Sequence, residues 1–470
     1  MKILLVNPNF KGVVSVPSLG LGFIAAHLRK HLVCDVEVVE PLLQGLSERA
    51  VLEKAKKAEK IGLVCYTESR FQCFDFAEKI KRFNSATQIF VGGPHVNALD
   101  SRILQYYPCV DMLVRNEGEE TVLDIAKAKP LEQILGLTWR NKNGAIIRNG
   151  DRPLLENIDG FEYDYSFAYP FLKDWKDIEI PRYLQKRNAI PIIGSRGCPF
   201  QCVFCAAHEQ WGRKYRGVSP EILVHWVENL VECYNIGYFR FYDALFIGTD
   251  ERILRFCDLL EQSNLRISFR VDIRVGTKKE TLRRLKQVGC DVVGFGVESG
   301  SDRILKRVNK RITKKEIIET IKDCRELGFW VLGFFMVSLP DETMEDVRET
   351  FALLKSFDEM NLQFFKIHPN TEFYDELKRK GEIDDSIWFD ENRGLTTRYG
   401  NEIYYCKENF PSARFSLRQG NYLLRYAYHK FKIENLRAVI RLRGVMSAMP
   451  IIAKSVLGSL VARCGELENL

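Results

Sequence analysis

Three cysteines fall within eight positions, at Cys198, Cys202 and Cys205, separated by three and then two residues. Thiolates crowded on one short loop suit an iron–sulfur cluster, whose irons are held by cysteine sulfur. The next cysteine is Cys233, too distant to share that loop, so one iron of a four-iron cluster would keep a position for an outside ligand. Zinc is the alternative, because a structural zinc site takes four protein ligands and His208 would complete a Cys3His set. A chance grouping of unrelated cysteines is the third reading, and it rarely yields so tight a spacing.

The loop must be positioned by what precedes it, the apolar run Ile190–Ile193. That run opens an alternating series with Tyr238–Tyr242, Ile267–Val271, Val292–Val297, Val331–Val337 and Leu362–Ile367, separated by helical patterns such as Ile222–Cys233 and Ile317–Leu327. Strands alternating with helices predict a parallel sheet. Six units are too few for a closed eight-stranded barrel and predict a partial one, with reactive groups on the loops after the strands. Asp243, Asp272, Glu298-Ser299-Gly300-Ser301 and His368 follow successive strands, so these groups are expected on one rim with the cysteines.

Residues 1–130 carry a similar alternation, with runs at Ile3–Val6, Val36–Val39, Ile61–Tyr66, Gln88–Val91 and Asp111–Val114. A doubly wound parallel sheet binds ligands at the carboxyl ends of its strands. Polar and turn-forming residues gather there: Asn7-Pro8-Asn9, Tyr66-Thr67-Glu68-Ser69, Gly92-Gly93-Pro94-His95 and Asn116-Glu117-Gly118-Glu119. Around Asn143-Gly144 the chain predicts a hairpin, and residues 131–189 are expected to be hairpin and linker.

With these residues in view, the chain resembles a family. Cys198-x-x-x-Cys202-x-x-Cys205, with Phe204 before the last cysteine, resembles the signature of radical S-adenosylmethionine (SAM) enzymes. The likeness continues through Arg270-Val271-Asp272, Gly296-Val297-Glu298-Ser299-Gly300-Ser301 and Phe335–Thr343, covering most of residues 190–375. The preceding domain, with Gly92-Gly93-Pro94-His95 and Glu117-Gly118-Glu119-Glu120-Thr121, is similar to that of the cobalamin-binding subclass. The implied fold class is α/β: a Rossmann-like, doubly wound sheet of cobalamin-binding type over 1–130, a partial (β/α)6 radical SAM barrel over 190–375, and a mainly helical extension over 376–470.

The resemblance implies a mechanism. The three cysteines hold a 4Fe–4S cluster, and SAM chelates its open iron through amino and carboxylate groups. Reductive cleavage gives methionine and a 5′-deoxyadenosyl radical that abstracts hydrogen from an unactivated position, the cofactors carrying the chemistry. Phe204 is expected near the adenine and Asp243 at the SAM amino group, where relatives often carry paired acids and this chain has Ala244 beside a single carboxylate. Arg270 suits the methionine carboxylate, since guanidinium pairs well with carboxylate. Glu298 and Ser299 match ribose- and methionine-side contacts. Each also has a purely structural reading, as an ion pair or helix cap on the rim.

For cobalamin, the resemblance points to Asn7, Thr67, Gly92, Gly93 and Glu117. No histidine stands in the loop Asn7–Gly12, and the loop Tyr66–Gln72 places large side chains where a corrin needs room. The expected activity is cobalamin-dependent C-methylation of an unactivated carbon. The alternatives are cobalamin-independent coupling, cyclisation or rearrangement of a lipid or natural product, and a non-catalytic iron–sulfur or zinc regulatory protein. No catalytic residue serving the substrate radical is assigned.

The 470 residues suffice for two or three domains. A formal charge of +7 is no sign of nucleic-acid binding, and Met1 leads into a strand-like run rather than a signal peptide. Ten cysteines scattered outside the motif argue for a reducing compartment, so a cytoplasmic location is expected. Between 423 and 463 the tail carries eight Lys or Arg against the single acid Glu434. Such a basic amphipathic region predicts either a cap on the barrel or peripheral contact with an anionic membrane. Expected partners are a small-molecule or lipid substrate and an electron donor such as a flavodoxin, ferredoxin or reductase.

Overall fold

The computed structural model describes residues 1–11, 17–172, 188–246, 248–397 and 400–428. They form two units, one of Met1–Asp272 with Lys366–Tyr404, the other of Ile273–Phe365 with residues 405–428.

The first unit begins with a seven-stranded sheet: β1 (Lys2–Val6), β2 (Asp35–Val39), β3 (Lys60–Val64), β4 (Gln88–Gly92), β5 (Met112–Val114), β6 (Leu137–Arg140) and β7 (Ile146–Arg148). Its order is β2-β1-β3-β4-β5-β6-β7. The first five strands are parallel, the arrangement of a doubly wound sheet whose order reverses between β1 and β3. Ile3, Leu4, Leu5 and Val6 are all buried, as befits a strand covered by helices on both faces. The hairpin predicted around Asn143-Gly144 is present, and it continues the sheet as two antiparallel strands on β5. It therefore belongs to the N-terminal layer instead of serving as a connector.

The unit continues with β8 (Ala189–Ile192), a two-residue antiparallel ladder of β9 (Ser195–Arg196) and β10 (Arg216–Gly217), then β11 (Tyr238–Phe241) and β12 (Ser268–Ile273). β8, β11 and β12 pair in parallel. Between β10 and β11 the helix Pro220–Tyr234 starts on Ser219, whose side chain accepts from the Ile222 N–H, and stops on left-handed Asn235. Behind β11 a cluster of Phe241, Phe246, Phe256 and Phe269 packs edge to face with centroids 4.7–6.1 Å apart.

The second unit has three parallel strands, β13 (Cys290–Glu298), β14 (Trp330–Val337) and β15 (Glu359–Phe364). The helices Lys314–Glu326 and Met344–Leu354 between them both start with capping boxes, on Thr313 with Glu316 and on Thr343 with Asp346. With β8, β11 and β12 these strands make up the six predicted from the sequence.

After β15 the chain returns to the first unit through the helix Glu372–Arg379 and a short hairpin of β16 (Leu395–Thr397) and β17 (Gly400–Glu402). Helical structure resumes at 417–428. The basic tail lies outside the described residues beyond 428. Among the described residues no helix is long and apolar enough to cross a membrane.

Candidate functional site

The cysteine loop is an excursion from β9 to β10. Gly197 enters it with φ +82, and a Cβ there would lie 2.1 Å from the Lys214 carbonyl oxygen, so only glycine fits directly before Cys198. Cys198, Cys202 and Cys205 are half-buried. The loop curls on itself through the Cys205 N–H to Cys202 carbonyl bond of 3.1 Å. The chain that returns after β15 holds one side, with the Phe373 N–H on the Val203 carbonyl at 3.0 Å and Asn370 Nδ2 on Glu209 Oε2 at 3.0 Å. The N-terminal layer holds the other, with Asn97 Nδ2 on the Glu209 carbonyl at 2.9 Å and Gln210 Nε2 on the Asn116 carbonyl at 2.8 Å.

Asp243, at the end of β11, is buried beside the entry to the loop. Its carboxylate accepts from the Gly194 N–H at 3.1 Å and from the Ser195 hydroxyl. Burial pushes the carboxyl up to about 7 against the pull of those two donors. In this arrangement Asp243 ties β11 to the strand that leads into the cysteines.

The loop base carries a second knot. Arg196 Nη1 meets Glu117 Oε1 at 3.0 Å and its Nη2 meets Glu119 Oε1 at 2.6 Å, while Arg216 Nη1 lies 2.8 Å from both Glu117 oxygens. The Leu155 N–H also donates to Glu117, at 2.8 Å. Glu117, expected as a cobalamin contact, thus has its carboxylate engaged by two arginines and a backbone donor. Nothing in the spacing of Arg196 or Arg216 marks them in the sequence.

An apolar cavity of about 110 Å³ lies between the N-terminal sheet and this loop. Leu5, Gly62, Phe90 and Gly92 of the sheet, with Phe23 of the helix Leu19–His31, form part of its wall. Arg196, Gln210 and Trp211 of the cysteine segment form another part. Gly93 and Glu117 also face it, whereas Asn7 and Thr67 do not line it. Gly93 has φ +106, and a Cβ would come within 2.7 Å of the Cys65 carbonyl oxygen. Asn7 instead donates through Nδ2 to Glu40 at 2.8 Å, and Glu40, which also accepts from the Ser18 N–H at 2.7 Å, is pushed up to about 7 by burial. The bulky loop Tyr66–Gln72 does not line the cavity. Its Arg70 is buried and donates to the Trp388, Thr67 and Asn401 carbonyls and to Asn401 Oδ1.

Of the SAM residues expected on the later strands, Arg270 is buried on β12 with Nε and Nη2 each 3.2 Å from Asp272 Oδ1. Phe204 is half-buried within the cysteine loop. In the second unit, Glu298 ends β13 at φ +71, where the register with β14 shifts, and accepts from Lys310 Nζ at 2.8 Å. A non-glycine residue in that region is uncommon and costs strain, which often marks functional positions. Ser299 Oγ lies 3.1 Å from Thr350 Oγ1 and accepts from the Ser301 N–H at 3.2 Å.

The family models agree with both halves of this picture. The B12 binding domain matches residues 11–126 and the radical SAM superfamily matches residues 192–354. An uncharacterized methyltransferase of Pyrococcus horikoshii is 32% identical over 386 residues, covering 77% of this chain and 80% of the relative. This chain is a cobalamin-binding radical SAM enzyme. An anaerobic magnesium-protoporphyrin IX monomethyl ester cyclase of Rubrivivax gelatinosus is 26% identical, covering 82% of this chain and 71% of the relative. The fold matches that of the radical SAM methyltransferase TsrM of Kitasatospora setae, solved with tryptophan and a SAM analogue, with a TM-score of 0.70 and 15% identity over 93% of this chain and 88% of that one. This radical SAM enzyme is of the methyltransferase type and uses a 4Fe–4S cluster, SAM and cobalamin.

Its residues fit those groups in kind. Among the described residues no three His, Cys, Asp or Glu side chains are gathered around a single ion. A cubane cluster takes each thiolate on a different iron, so its ligands need not converge on one point. His208, the fourth ligand of a zinc reading, lies 2.9 Å from Glu209 Oε1. The cavity's apolar walls and bare glycine backbone suit the apolar base of cobalamin, a concave site lined by hydrophobic groups being the usual form of a cofactor pocket.

Proposed function

We propose that this radical SAM enzyme transfers a methyl group from SAM to an unactivated carbon of a small-molecule or lipid substrate. The observation that carries the proposal is the shared wall: Arg196, two residues before the first cluster cysteine, lines the same cavity as Gly92 and Gly93 of the B12 binding domain. When bound, the cluster supplies the electron that cleaves SAM and cobalamin supplies the methyl carrier. Cys198, Cys202 and Cys205 hold the cluster, and Asp243 orients the strand that feeds them through Gly194 and Ser195. Phe204, Asp243, Arg270, Glu298 and Ser299 serve SAM. Gly92, Gly93 and Glu117, which line the cavity, serve the corrin side, while Asn7 and Thr67 stand at strand ends outside it. An outside reductant, a flavodoxin, ferredoxin or reductase, reduces the cluster in a reducing cytoplasm, and the basic tail offers peripheral contact with an anionic membrane.

Dithionite reduction of the loaded enzyme with SAM tests this reading. Methyl transfer yields both S-adenosylhomocysteine and 5′-deoxyadenosine. A second reading, radical ring closure or coupling in place of methyl transfer, draws support from the likeness to the cyclase over 82% of the chain. It predicts 5′-deoxyadenosine alone, and that result would displace methyl transfer.

A further inference from the structure

Arg196 and Arg216 are register partners across the ladder of β9 and β10, so two guanidinium groups stand opposite each other at the base of the cysteine loop. Their side chains are 7% and 3% exposed. Like charges directly opposite in a ladder repel, and a buried charge without a counter-charge is strongly destabilising. The compensation comes from the loop after β5. Glu117 bridges both arginines and Glu119 takes the remaining face of Arg196, giving two positive and two negative side chains in one buried knot. Glu117, Glu119 and Arg196 all line the cavity, and the Arg196 guanidinium stacks 5.1 Å over the ring of Phe23, another wall residue. One set of side chains is therefore both a wall of the cofactor cavity and the clasp that closes the cluster loop.

We propose that Glu117, Arg196 and Arg216 are positioning residues that couple the two cofactor sites. Filling the cavity favours the closed cysteine loop, and a cluster that holds the loop closed favours binding in the cavity. The inference rests on cobalamin occupying that cavity. Because linkage is reciprocal, the effect is readable from either cofactor.

The test titrates hydroxocobalamin into the full-length protein, cluster-free as isolated and after anaerobic reconstitution with iron and sulfide, following bound corrin absorbance. The reconstituted protein is expected to bind at least about fivefold more tightly, the lower end of ordinary coupling. Glu117→Gln, which leaves two arginines facing one carboxylate, is expected to bring the ratio of the two dissociation constants close to one. A merely structural role would weaken both forms alike and preserve the ratio. If Glu117→Gln does not fold, the charge-balanced pair Glu117→Gln with Arg216→Gln takes its place. Equal affinities of the two wild-type forms, or an unchanged ratio in the variant, overturn the coupling. Absence of stoichiometric corrin in both forms overturns the assignment of the cavity itself.

Discussion

The Arg70 guanidinium donates through Nε to the Trp388 carbonyl at 2.8 Å, joining residues 318 positions apart. Its other nitrogens reach the Thr67 and Asn401 carbonyls and Asn401 Oδ1, so the loop after β3 and the chain around β17 are fixed on one side chain. Replacing Arg70 by Met leaves these buried acceptors unsatisfied and is expected to lower stability by about 2–4 kcal/mol. Lysine does not rescue it, because the planar fork that serves several acceptors is lost. Thermal unfolding measures the loss, and hydrogen exchange should locate faster opening at residues 400–402. Wild-type stability in Arg70→Met would refute this account.

The cysteines and the histidine separate two metal chemistries. Replacing Cys198, Cys202 or Cys205 by Ala is expected to remove most iron and sulfide from reconstituted protein. His208→Ala is expected to retain both, since that ring pairs with Glu209. Loss of metal from the histidine variant would return the site to a Cys3His zinc centre, and metal analysis decides it.

Gly93→Ala pairs an unfavourable φ with a clash on the Cys65 carbonyl, and about 1–3 kcal/mol of stability should go with it. Gly20 also lines the cavity, but a Cβ there meets nothing within 4 Å. Gly20→Ala should therefore fold normally. Denaturant midpoints of the two variants that coincide would contradict the geometry.

Stability should fall as pH rises through neutrality. Glu342 is buried, and although the Ser338 and Leu339 N–H groups donate to one of its oxygens, burial pushes the carboxyl up to about 8. Below the ordinary carboxylate range both folded and unfolded chains hold the proton. Between that range and about 8 only the folded chain does, so unfolding releases a proton and each pH unit costs up to about 1.4 kcal/mol. Glu342→Gln cannot titrate and should show a shallower decline in urea midpoint between pH 5 and pH 8. An identical slope in the variant counts against the raised carboxyl.

The strands were legible because parallel strands covered on both faces are near-continuous apolar runs, and Ile3–Val6 or Val331–Val337 need no long-range information to be recognised. The cysteine loop was legible as a loop because its three thiols are close in sequence. What escaped were partnerships over long separations. Glu117 stands at a strand end, where a ligand residue is expected, yet its partners are 79 and 99 positions away. Arg70 suggests crowding in a one-dimensional reading, while in the fold its bulk turns toward Trp388 and Asn401. The hairpin of β16 and β17 is short and polar, with β16 largely exposed and the buried positions of β17 filled by Asn401 and Glu402, so it has no hydrophobic alternation to announce it.

The first unit opens at Met1 and receives its last pieces from Lys366–Tyr404, with Ile273–Phe365 made in between. Chains leave the ribosome N-terminal end first and fold domain by domain. A nascent chain that has reached residue 375 already carries Cys198, Cys202, Cys205, Gly92 and Gly93, but Arg70 still lacks Trp388 and Asn401. The part begun first is completed only after most of the second has been made. During synthesis the first unit therefore stays open until residue 401 has been made, and Ile273–Phe365 emerges while it is still open.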